Sequence, residues 1–117
     1  MIPNDWMPHR RSSDGELVGY LTFDGEFFTP LTVFGYPLSP AADFEDAEAT
    51  LDDHGLMVLT QPWVLSLPAG DVRVSIAEAT PDFVRVVEDP ERMANVVGAT
   101  LPSHTLPVPV PATLRLA

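Results

Sequence analysis

Two runs rich in aromatic and β-branched residues, 17–23 and 27–34, flank Asp24-Gly25. This arrangement is a strong short-range signal for a β-hairpin, because a two-residue turn needs positive φ and glycine adopts it without steric cost. The chain is thus committed early to antiparallel pairing. Pro30 lies inside the second run and has no N–H for a ladder, so it predicts an open edge or a bulge there.

The apolar period changes after Tyr36-Pro37. Ser39-Pro40 reads as an N-cap followed by proline in the first helical turn. Over residues 40–54, Phe44, Ala47 and Leu51 fall within an arc of about 60° at helical spacing. Gly55 is the expected left-handed C-cap. So narrow a stripe predicts a helix held mainly by docking Phe44 and Leu51 on a sheet. Asp43, Glu45 and Asp46 suit the N-terminal end of its dipole, whereas Asp52 and Asp53 sit where the dipole opposes them.

Beyond Gly55, residues 56–59 and 63–67 read as a third strand broken at Pro62. Pro68-Ala69-Gly70-Asp71 turns the chain into Val72, Val74 and Ile76, which alternate onto one face. Thr80-Pro81-Asp82 then reverses it into residues 83–87, so these three strands predict a meander. Asp89-Pro90-Glu91-Arg92 predicts a single helical turn, followed by a loop to Thr100. In residues 101–117, Pro107, Pro109 and Pro111 withhold donors from one side of an extended chain while Val108 and Val110 bond on the other. That spacing predicts a protected, proline-rich edge strand, with Leu114 and Leu116 alternating in a last short strand. The expected fold is a single α+β domain over residues 1–117, with residues 1–11 as an N-terminal arm. Its core would be a bent antiparallel sheet, or a partly open barrel, with one amphipathic helix closing one side.

Charge narrows the partners. Residues 12–72 hold eleven of the 17 carboxylates and no Lys or Arg, while the remaining six acids balance six arginines. Such a field disfavours nucleic acid and anionic lipid, and favours a basic protein surface or self-association. With no cysteine, disulfides and thiolate metal sites are excluded, and a reducing cytoplasm is compatible. Arg10-Arg11 has the form of a twin-arginine signal, but Ser12-Ser13-Asp14-Gly15-Glu16 stands where an apolar stretch is required, so a cytoplasmic, non-exported chain is expected. No apolar run approaches the ~20 residues needed to span a bilayer.

The order Arg10-Arg11-Ser12-x-Asp14-Gly15-Glu16-x-Val18-Gly19-Tyr20, then an acidic helix closing on Gly55-Leu56, a strand at Trp63 and a Val-Pro-Val-Pro end resembles small, uncharacterised acidic proteins of high-GC Gram-positive bacteria. The resemblance spans nearly the whole chain. It implies no activity and transfers no functional residue.

Glu45, Glu48 and Asp52 align along one helical ridge. Hard cations draw oxygen ligands from loops that wrap around them, and a straight ridge does not wrap, so a solvated acidic face is the expected role. His9, His54 and His104 lack the close spacing of a metal motif, and Ser103-His104 lacks the glycine-flanked serine of a nucleophile elbow. No glycine-rich loop opens a helix to cradle phosphate, and no cofactor is expected. The N-terminal Trp6-Met7-Pro8-His9-Arg10-Arg11 reads either as a tether, with Trp6 packing on the body, or as an arm reaching the acidic surface of a second copy. The expected function is a non-enzymatic, acidic interaction module, with Trp6, Arg10, Arg11, Glu45, Glu48 and Asp52 as its candidate surface in a homodimer or with a basic partner. A small-ligand or divalent-metal protein with a site near the helix carboxylates is the alternative.

Overall fold

A computed structural model describes residues 1–88 and 101–117. The expected helical turn at Asp89 and the loop to Thr100 lie outside the described residues. The chain runs β1 (Met7–Arg10), β2 (Leu17–Asp24), β3 (Phe27–Leu31), α1 (Phe44–His54), a 3-10 turn (Met57–Thr60), β4 (Trp63–Leu67), β5 (Gly70–Ala79), β6 (Phe83–Glu88), β7 (Ser103–Pro107) and β8 (Leu114–Leu116). The α+β class is as expected. The strands divide into two antiparallel sheets, ordered β1-β2-β3 and β7-β6-β5-β4-β8, and do not close into a barrel.

The predicted hairpin joins β2 to β3, with its turn one residue further on. Asp24 pairs with Phe27, so Gly25 and Glu26 form the two-residue loop. Gly25 carries the positive φ of +67° while Glu26 does not, which places glycine where a type II′ turn requires it. The second run stops at Leu31 rather than Phe34. Thr32 turns the chain by accepting the N–H groups of Phe34 and Tyr36 at its hydroxyl, 3.4 and 3.0 Å away. The other edge of β3 is met by residues 37–42 through bridges at Phe28–Ala42 and Leu31–Pro37. Pro30 lies between those bridges, where its carbonyl accepts the Leu38 N–H and no donor is asked of it.

Helix α1 begins at Phe44, not near Pro40. Ala42 exchanges both backbone hydrogen bonds with Phe28 and is therefore extended, so Asp43 becomes the N-cap and accepts the Asp46 N–H at 2.8 Å. Ala47 and Leu51 are buried with Val18 and Leu21 in a small core between α1 and the three-stranded sheet. Phe44, expected inside, remains 41% exposed, with its ring edge-on to Phe28.

Gly55 is right-handed, with φ of −56°, and is needed for space rather than for a left-handed cap. A Cβ there would stand 2.2 Å from the Val18 carbonyl oxygen of β2. The helical sense then continues, and residues expected to begin a third strand form the 3-10 turn, in which Leu59 N–H bonds Leu56 O. Val58 points into the larger core, which Phe34, Trp63, Leu65, Val74, Val84, Val86, Val108 and Leu114 complete. Phe34, from the turn after β3, thereby connects the two sheets.

The meander β4-β5-β6 is present as expected, with a bulge between Ile76 and Glu78, and β8 pairs with β4. The edge strand β7 ends at Pro107. Val108 and Val110 do donate, but to Asp82 O and Phe34 O in a segment that leaves the ladder and crosses toward the smaller sheet. The N-terminal arm is also built in. Residues 7–10 pair with β2, and the Met1 ammonium donates to the Val108 carbonyl.

Candidate functional site

Residues 43 apart meet where a side chain of β1 reaches α1. His9 faces the helix from β1, with Nε2 at 2.9 Å from Asp52 Oδ1 and Nδ1 at 3.3 Å from Glu48 Oε2. Both contacts are donating only when both ring nitrogens carry protons. Glu48 and Asp52 are one helical turn apart, which is why one imidazole reaches both. Asp52, opposed by the helix dipole, is compensated by this partner from another element. Because each ring nitrogen already faces its own carboxylate, the three side chains do not converge on one point. Among the described residues, no group of three or more His, Asp or Glu is placed to hold a metal ion.

The other histidines lie apart. His54 ends α1 and lines a small cavity of about 160 Å³ with Thr50, Gln61 and Leu116. His104 Nε2 is 3.0 Å from Glu88 Oε2. Ser103 and His104 are successive residues of β7, so their side chains project to opposite faces and form no dyad.

The two candidate arginines are engaged close to home. Arg11 forks onto Asp14, Nη2 to Oδ2 at 2.6 Å and Nε to Oδ1 at 3.1 Å, and Arg10 Nη1 donates to Gly15 O at 3.1 Å. The Arg11 hydrogen bonds, aided by the Glu16 N–H, hold the Asp14 carboxyl down at about 2 from its ordinary 3.8. Because the folded value lies below the unfolded one, the contribution of Asp14 is complete above pH 3.8 and is lost as pH falls through about 2. The side chain is solvent-exposed, so the effect on stability is small and the titration itself is the readout. NMR should place Asp14 near 2 in the native protein and return it toward the usual carboxylate range in Arg11→Ala; an Asp14 that titrates normally with Arg11 present would remove this ion pair.

Trp6 packs against Tyr20 of its own chain, ring centroids 6.1 Å apart. Of the six predicted surface residues, Glu48 and Asp52 come together on His9, Arg10 and Arg11 share the turn before β2, and Glu45 and Trp6 stand separately.

The end of the smaller sheet was not singled out from sequence. Phe23 is 62% exposed, Phe27 55% and Phe44 41%. Phe23 and Phe28 are cross-strand partners with centroids 6.1 Å apart, and Phe28 meets Phe44 edge-on at 5.1 Å. Exposed Asp24 and Glu26 neighbour Phe23 and Phe27 along the hairpin, and exposed Asp43, Glu45 and Asp46 neighbour Phe44 at the helix start; none of the five makes an ion pair among the described residues. Strand alternation alone could have placed Phe23 with Phe28, but only the Phe28–Ala42 bridge brings Phe44 beside them.

A separate cleft of about 280 Å³ opens between the sheets, lined by Leu17, Tyr20, Val33, Leu56 and Leu59 with Glu16 and Thr80 among its polar residues. No helix among the described residues is long and apolar enough to cross a membrane. No family model, curated protein or solved structure matches the chain.

Proposed function

We propose that this chain is a non-enzymatic interaction module that recognises a cationic protein surface. The observation that carries the reading is the set of exposed carboxylates, Asp24, Glu26, Glu45, Asp46 and Asp53, that make no ion pair among the described residues. By contrast Asp14, Glu48, Asp52 and Asp71 are each matched by Arg or His. Carboxylates left without a cation raise the local negative potential and steer a basic partner, with an association rate that falls as salt screens the field.

A small-ligand reading is favoured by the cleft beside Tyr20 rather than by the helix ridge, where His9 already occupies Glu48 and Asp52. Titration with a short peptide of alternating lysine and serine separates the two. Saturable binding is expected at about 20 mM salt and its loss at about 300 mM, where the Debye length is below 10 Å. Amide shifts should fall on the hairpin 23–28 and on the first turn of α1. Absence of binding at low salt would sink the interaction reading.

A further inference from the structure

We infer that the aromatic end of the smaller sheet is a docking ledge for an arginine-bearing segment of another protein, an inference that rests on the cationic-partner reading above. The rings of Phe23, Phe28 and Phe44 form a continuous row on the side of the sheet that carries α1, tilted by 47° and 69° to one another, so their faces point in different directions. The exposed ring of Phe27 lies on the opposite side of the same hairpin, paired across the strands with Asp24. Exposed phenylalanines grouped in this way mark an interaction surface more than they serve the core. The carboxylates around them decide the partner's chemistry. A purely apolar partner would bury Glu26 or Asp43 without compensation, at substantial desolvation cost. A cation resolves both needs.

Arginine suits the ledge better than lysine. Its guanidinium is planar and weakly hydrated, so one face stacks on a ring while its edge presents a two-pronged set of donors to a carboxylate. An ammonium gains the charge but neither the stack nor the fork. A separate protein is the favoured source of that arginine, because within this chain Arg11 is held by Asp14, Arg10 by Gly15 O, Arg85 by Glu78 and Arg115 by Asp71.

The test compares alternating arginine–serine and lysine–serine peptides on the intact chain at about 20 mM salt, by calorimetry with amide shift mapping. The arginine peptide is expected to bind about fivefold more tightly or better, summing over more than one exposed ring at about two- to fivefold each. Phe23→Leu, which keeps apolar bulk at an exposed site, should lower arginine-peptide affinity about two- to fivefold and lysine-peptide affinity by less; Phe44→Leu should act in the same direction. Equal binding of the two peptides, with neither variant altering it, would overturn the ledge and leave the acidic-module reading standing. Failure of both peptides to bind would overturn the two together. Shifts at residues 23–28 that appear merely on concentrating the protein would assign the ledge to a second copy and overturn the proposal of a separate partner.

Discussion

Gly19→Ala is expected to lower stability by about 3 kcal/mol or more, a large fraction of the total for a marginally stable domain. A Cβ on Gly19 would stand 2.2 Å from the Leu31 carbonyl oxygen and 2.7 Å from Leu51 Cδ2, and its φ of +153° is one that L side chains rarely adopt. The oxygen belongs to β3, the partner strand of β2, so relief requires moving backbone rather than turning a side chain. Gly55→Ala tests the same approach from the helix side. Its right-handed φ of −56° suits alanine, and propensity alone would predict stabilisation by about 0.4–1 kcal/mol. The 2.2 Å approach to Val18 O predicts the reverse, a loss of about 1–3 kcal/mol. Urea melts should show a lower midpoint with an unchanged slope for both variants. A more stable Gly55→Ala protein would show that α1 does not lie this close to β2.

Trp63→Ala is expected to cost about 3–5 kcal/mol through the cavity it leaves. Trp63 is fully buried at the start of β4 and stands edge-on to Phe34 and Tyr36, with centroids 5.3 and 4.7 Å away. Its indole N–H donates to Val58 O at 2.8 Å and thereby secures the 3-10 turn to the five-stranded sheet. Trp63→Phe keeps much of the ring volume but removes the shorter of the two hydrogen bonds to that carbonyl, and should cost about 0.5–1.5 kcal/mol. Hydrogen exchange locates the second effect, because Gln61 N–H also bonds Val58 O and should exchange faster in Trp63→Phe. If Trp63→Ala left the urea midpoint unchanged, the larger core could not be centred on this residue.

The β2–β3 hairpin, the β4-β5-β6 meander and the last strand at Leu114 and Leu116 were legible because turn residues and alternation act locally. The helix was legible as an element but not at its ends. Ser39 carries an acceptable capping hydroxyl, yet the Phe28–Ala42 bridge keeps the chain extended until Asp43. Gly55 does stand at the C-cap of the helix, but with a right-handed φ and for want of space, since sequence does not distinguish a glycine needed for φ from one needed for space. The proline spacing after Leu106 foretold donors at Val108 and Val110 but not that their acceptors are Asp82 and Phe34.

By itself, the amino-acid order determined the class of the fold, the amphipathic helix after Pro40 and the concentration of charge in residues 12–72, because each depends on neighbours within a few positions. Only the tertiary structure decided that the strands divide into two sheets and that Glu48 and Asp52 are engaged by His9 from the opposite end of the smaller sheet. It also decided that Phe44 leaves the core to join Phe23 and Phe28 at an acidic edge. Those outcomes depend on pairings between distant segments, in which packing and backbone hydrogen bonding outweigh local preference.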